Sequence, residues 1–125
     1  MALDGRGNLF IADYNNSVIR RVVLSTGVIS TFAGSGNYGY SGDNGPALKA
    51  GLDPYGIAQG NIYIADSFND RIRKITAADG IITTIAGTGV GADSGDNGPA
   101  AQAQVNSPSD VSVDPQKAAY FAEYP

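Results

Sequence analysis

Short runs of apolar and β-branched residues, four to a unit, alternate along the chain with clusters of Gly, Asn and Asp. The first runs are Gly56–Ala58 and Val111–Asp114, with a stub at Ala2–Asp4. The second are Leu9–Ala12, Ile62–Ala65 and Tyr120–Ala122. The third are Val18–Val23 and Arg71–Thr76, and the fourth Val28–Phe32 and Ile81–Ile85. Runs of this length and composition, bounded by turn residues, predict β-strands, named A to D here. The links Asp4-Gly-Arg-Gly7, Asn15-Asn16, Ser25-Thr-Gly27 and Asp79-Gly80 have hairpin chemistry. No segment keeps a 3.6-residue period, so the expected class is all-β.

The strand pattern is a repeat. Asn8–Asp13 reads NLFIAD and Asn61–Asp66 reads NIYIAD; Val18–Val22 reads VIRRV and Arg71–Ile75 reads RIRKI. Gly27–Gly36 reads GVISTFAGSG against GIITTIAGTG at Gly80–Gly89, and SGDNGPA occurs unchanged at Ser41–Ala47 and Ser94–Ala100. All four pairs share an offset of 53 residues, with 21 identities between Asn8–Leu52 and Asn61–Val105. The pattern restarts at Pro108, where Tyr120–Glu123 matches Phe10–Asp13. The chain therefore divides into a first unit at 1–53 with strand A truncated, a second at 54–107, and strands A and B of a third at 108–125. Only Gln59 and Gly60 separate Ala58 from Asn61, which predicts a shortened A–B turn in the second unit.

Four mostly apolar antiparallel strands per unit need cover on both faces. Radial stacking of sheets provides it, as in a β-propeller. Runs B and D are near-continuously apolar, as strands covered on both sides should be. A sandwich built from a duplicated half is the alternative, but the whole strand and turn pattern restarts with each copy.

Composition narrows the chemistry. At 125 residues with 42% hydrophobic and 16% charged, the chain can bury a core. It has no Cys and no His, which removes disulfides, thiolate metal sites and the usual general base. A net charge of −4 gives no basic footprint for nucleic acid. No apolar run approaches the roughly 20 residues needed to span a bilayer.

The pattern G-N-[IL]-[YF]-I-A-D, then N-x-x-I-R-[RK]-[VI], then a Gly-led strand ending T-x-A-G, resembles the NHL repeat. The linker S-G-D-N-G-P-A-x-x-A is similar to that of many bacterial NHL arrays. The resemblance implies a propeller, most often of six blades, and export from the cell. Two and a half blades cannot close a ring. Either the chain is cut from a longer array, or copies assemble: the last A strand of one chain completes the first blade of another, the final B strand being surplus. Three chains would then make six blades. The resemblance also implies that the face carrying the B–C turns and D-to-A linkers is the recognition face.

That linker face comprises Asp13–Ser17, Asp66–Asp70, Ser35–Asp53 and Thr88–Ser107. The candidate interaction residues on it are Tyr14, Asn16, Tyr38, Tyr40, Asp43, Asn44, Phe68, Asn69, Asp96 and Asn97. The aromatic ones do not repeat: Tyr38 and Tyr40 stand against Gly91 and Asp93, Tyr14 against Ser67, and Phe68 against Asn15. Non-repeating aromatics on loops suit a partner surface, or else packing onto the next blade. The two SGDNG loops carry oxygens that suit Ca²⁺. One Asp per loop is thin, however, and Asp-Asn-Gly-Pro is a turn in itself, with Asp bonding to backbone and Gly at positive φ. Asp13 and Asp66, seven residues before Arg20 and Arg73, suit braces of the B–C hairpin.

The expected function is a non-catalytic interaction or scaffold module for a protein or small ligand, with no catalytic, cofactor-binding or metal-binding residues. The alternative is a fragment of a lyase-like or lactonase-like propeller enzyme, or a Ca²⁺-binding propeller. Similar lyases rely on histidine, which this chain lacks, and lactonase-like sites hold Ca²⁺ with inner-strand Glu and Asn or Asp, whereas the only Glu here is Glu123, in a repeat position. RNA binding calls for a positive face.

Overall fold

The computed structural model describes residues 1–58 and 61–124. The first sheet holds β1 (Ala2–Leu3), β2 (Asn8–Asp13), β3 (Val18–Val23) and β4 (Val28–Ala33), side by side in chain order. The second holds β5 (Gly45–Pro46), β6 (Pro54–Ala58), β7 (Ile62–Asp66), β8 (Arg71–Ile75) and β9 (Ile81–Ala86), in the order β5-β9-β8-β7-β6. A hairpin of β10 (Pro108–Val113) and β11 (Ala119–Glu123) begins a third. All pairings are antiparallel. These are two four-stranded blades and half of another, the architecture of a partial propeller. The shortened A–B turn rests on Gln59 and Gly60, outside the described residues.

Three features were not expected. Strand A starts earlier than the apolar runs, at Pro54 and Pro108. Proline is tolerated as the first residue of a strand, where its missing N–H leaves no gap in the ladder. The linker contributes a strand of its own: Gly45 pairs with Ile82 and Pro46 with Ile81, on the outer edge of the second blade. Lastly, β4 is not covered on both sides: Val28 and Ile29 are exposed, at 60% and 48%, where the matching Ile82 is fully buried. Ile82 is covered by the core that it shares with Phe10 and Ile19 of the first blade and with Ala47 and Ala50 of the linker. Among the described residues, Val28 and Ile29 have no such cover.

The alternation of side chains along β7 explains how the blades join. Ile62 and Ile64 enter a core with Phe10, Ile19, Leu52 and Ile57 of the first-to-second blade interface. Tyr63 and Ala65 point the other way, into a cluster with Ile72 and Val111 toward the third repeat. β9 serves both cores because it carries one extra residue: the register passes from Ile72–Ala86 to Arg73–Thr84. This bulge turns Ile82 to one interface and Ala86 to the other. The first blade has the same shift, from Ile19–Ala33 to Arg20–Thr31.

Candidate functional site

The B–C hairpins set the frame of the linker face. Each turns through a short 3-10 segment, Tyr14–Asn16 and Ser67–Asn69, that ends on a residue at positive φ, Ser17 at 56° and Asp70 at 52°. Asn16 and Asn69 tie these turns down: their amides donate to Asp13 Oδ1 at 2.9 Å and to Asp66 Oδ1 at 2.8 Å. Asp66 Oδ1 also accepts from the Asp53 backbone N–H at 2.7 Å, which anchors the end of the linker. Glu123 does the same one blade on, accepting from Asn106 N–H at 2.9 Å.

Arg73 is the hub. It is fully buried, and its Nη1 donates to the Gly51 carbonyl at 2.7 Å and to Asp66 Oδ2 at 3.2 Å. Its Nη2 donates to the Ser41 carbonyl at 2.9 Å and to Asp43 Oδ1 at 2.8 Å. Asp43 Oδ2 accepts from Thr84 Oγ1 and from Tyr40 Oη, each at 2.6 Å. Tyr40 lies over the Arg71 guanidinium at 3.5 Å and faces Arg73 at 4.8 Å. The segment 40–47 is thus a strap: it leaves the first blade and is clamped to strands C and D of the second.

This corrects the expected turn chemistry. Asp43 bonds to three side chains of the clamp rather than to backbone, and positive φ falls on Gly42 (84°) and Asn44 (64°) rather than on Gly45. Both Asp43 oxygens are engaged within the protein. Among the described residues, no cluster of three or more acidic side chains is placed to hold a metal ion. Burial pushes the Asp43 carboxyl up, but the hydrogen bonds from Thr84, Tyr40 and Arg73, with the Arg73 charge, outweigh it and hold it below the usual carboxylate range. For Asp66 burial prevails over Asp53 N–H, Arg73 and Asn69, and its carboxyl is pushed up.

The sequence candidates therefore separate. Asn16, Asn69, Tyr40, Asp43 and Asn44 belong to the hairpins and the strap. Asn44 sits in the strap, its N–H donating to the Ile82 carbonyl at 2.8 Å. Asp96 and Asn97 lie in the second strap, exposed, with no side-chain partner among the described residues. Tyr14 and Phe68 come together with a residue that the sequence reading missed, Tyr55. Tyr14 packs edge-on to Tyr55 at 5.2 Å between centroids and tilted to Phe68 at 6.3 Å. Phe68 remains 66% exposed, Tyr55 49% and Tyr38 79%.

A second missed residue adjoins this cluster. Asp53 is buried, and its Oδ1 has no hydrogen-bond partner. Burial, then the charge of Asp66, pushes its carboxyl up. Its own charge reaches Tyr14, whose hydroxyl is raised by burial first and by Asp53 next, then by Tyr38 and Tyr55. Asp53 aligns with Asn106, so it too is a non-repeating residue. That substitution was the signal available in the sequence; Tyr55, which stands against Ser109, carries the same signal, but it lies between the linker and the run Gly56–Ala58 and falls in neither. An open depression of about 690 Å³ lies among the A–B turns, lined by Asp4, Arg6, Phe10, Arg21, Asp114 and Lys117 among others.

No family model matches the chain. NHL repeat-containing protein 2 of Homo sapiens and that of Bos taurus are each 30% identical over 91 residues, which cover 65% of this chain and 12% of the relative. The chain spans about an eighth of the length of these curated relatives. A solved structure of a protein of unknown function from Bacteroides thetaiotaomicron superposes with a TM-score of 0.82 at 28% identity, over 93% of this chain and 30% of that one. An auxiliary nutrient binding protein from the same organism superposes at 0.67 with 20% identity, over 92% and 32%. The class is a partial β-propeller. Its blades are of the NHL type: the repeat signature, the strand order and these likenesses agree.

Proposed function

We propose that the chain is a non-catalytic interaction module whose linker face takes a cationic group of a partner between Tyr14, Tyr55 and Phe68, beside Asp53. The observation that carries the reading is the Asp53 carboxylate, whose Oδ1 is buried without a partner and whose charge reaches Tyr14, in a cluster of half-exposed aromatic rings. Aromatic faces attract ammonium and guanidinium groups, more strongly where water is excluded. A buried carboxylate without a partner gains most from an opposite charge. All four residues break the repeat, as a unique site should and a structural device need not.

The test is a titration with tetramethylammonium chloride against potassium chloride at equal ionic strength, read on the ring resonances of Tyr14, Tyr55 and Phe68. Saturable shifts with the organic cation are expected, lost in Asp53→Asn and in Phe68→Ala. Asp53→Asn is a mild change, because Asn106 occupies the same place in the next unit. The Asp53 carboxyl is raised, so the response should fade as pH drops through that raised value and the carboxyl takes up a proton. Equal shifts with both salts, or a response indifferent to Asp53→Asn, would overturn the reading.

A further inference from the structure

The two straps have the same sequence, SGDNGPA, but only the first has something to hold. Ser41–Ala47 lies on the outer edge of the second blade, where Asp43 meets Arg73 and Thr84. Ser94–Ala100 makes no corresponding clamp: among the described residues Asp96 is exposed and has no side-chain partner. The segment is nonetheless folded as its twin is. Gly42 and Gly95 have φ of 84° and 92°, and Asn44 and Asn97 of 64° and 68°. Gly45 N–H donates to the Gly42 carbonyl at 3.2 Å, and Gly98 to Gly95 at 3.1 Å. The bridge Ser41–Gly51 recurs as Ser94–Gln104, and Ala47 and Ala100 both accept from the glycine that ends strand D, Gly34 and Gly87. The empty strap is preorganised, so docking it orders little new chain.

The surface that such a strap needs is also present, unfilled, on the first blade. At the 53-residue offset, Arg20 stands for Arg73, Thr31 for Thr84, and Val28-Ile29 for Ile81-Ile82. Arg20 has one ion pair, to Asp13 at 3.5 Å, and none of the four hydrogen bonds of Arg73. Thr31, Val28 and Ile29 are exposed. The inner edge of that blade is short as well. β1 pairs with only Phe10 and Leu9 of β2, whereas β10 pairs with β11 from Pro108 to Val113. The outer strand β11 is mostly exposed.

We infer that the first blade is a docking surface for the strap of a second copy of this chain, so that copies join head to tail. Asp96 of one copy meets Arg20 and Thr31 of the next, and Gly98-Pro99 pairs with the edge of β4. From the same copy β10 then covers the inner edge of β2 in place of β1, while β2 takes the place of β11. One linker would thus clasp both edges of the neighbour's blade, as 41–58 clasps the second blade within the chain. The contact is heterologous and can close into a ring.

Native mass from sedimentation or light scattering tests this on the chain as it stands. A mass of two or more times 12.8 kDa is expected, three times for a six-bladed ring. Asp96→Ala removes the strap's charge and Arg20→Ala the receiver's, and each alone should leave a monomer. Mixed, the two variants keep one working junction, an intact strap on the Arg20→Ala copy and an intact receiver on the Asp96→Ala copy. They should form pairs that grow no further. Circular dichroism matching the wild type shows that the variants fold. Amide exchange gives a second readout, with the Val28–Thr31 backbone protected in the wild type and not in Asp96→Ala. A monomeric wild type, as a strap seated only on later blades of a longer chain would give, overturns the proposal. So does assembly unaffected by both substitutions.

Discussion

Arg20 and Arg73 hold the same place in consecutive blades and live in different surroundings. Arg73 is fully buried, with an acid at each Nη nitrogen, while Arg20 keeps one longer contact and is about a third exposed. Removing one partner of a buried pair leaves a charge stranded, which costs about 3–5 kcal/mol, whereas an exposed pair is worth about 0–1 kcal/mol. Arg73→Met should therefore lower unfolding free energy in urea by an amount in the first range, and Arg20→Met, measured on the dilute single chain, in the second. Asp43 adds a pH signature. Its carboxyl is lowered in the fold, so its contribution is complete above the ordinary carboxyl pKa and is lost as pH falls through the lower folded value. Asp53 and Asp66 are raised, and their ionisation works in the opposite direction. The difference between wild type and Asp43→Asn isolates the first effect: urea melts at falling pH should converge for the two chains in the acid range.

At the scale of elements, the glycine that ends strand D is fixed by close approach. Gly34 and Gly87 sit at φ of 95° and 93°, and an added Cβ would meet backbone atoms of the B–C turn, Ser17 and Val18 or Asp70 and Arg71. Gly87→Ala should lower the melting temperature well beyond the effect of Gly27→Ala, where space is open and only the φ of 71° is strained. Strands B and D were legible in the sequence because each is a near-continuous apolar or β-branched run between hairpin residues, and strand C, with its Arg and Lys, because it recurs in register between them. β5 was not, since a Gly-Pro pair carries no strand signal and pairs only because the strap is drawn across β9. The site was half legible. Tyr14 and Phe68 stood out by breaking the repeat in loops, whereas Tyr55 falls between the expected linker and the expected strand A, which in the structure begins at Pro54. Tyr40, equally non-repeating, turned out to cover the arginines of the next blade.

The whole molecule is a row of blades joined by two means, apolar cores between sheets and straps across outer edges. Ile64, fully buried in the first interface, represents the cores, and Ile64→Ala should cost about 2–5 kcal/mol. The repeat alone announced the row, its order and its linker face. What it did not announce is that each linker belongs energetically to the blade that follows. That depends on Asp43 crossing to Arg73 and Thr84 of the next sheet, a contact 30 and 41 residues away in sequence. A double-mutant cycle on Arg73→Met and Asp43→Asn, followed by urea unfolding, measures this directly. The strap account predicts a coupling within the roughly 0.5–3 kcal/mol found for residues in one hydrogen-bonded network. Additivity of the two substitutions would contradict it.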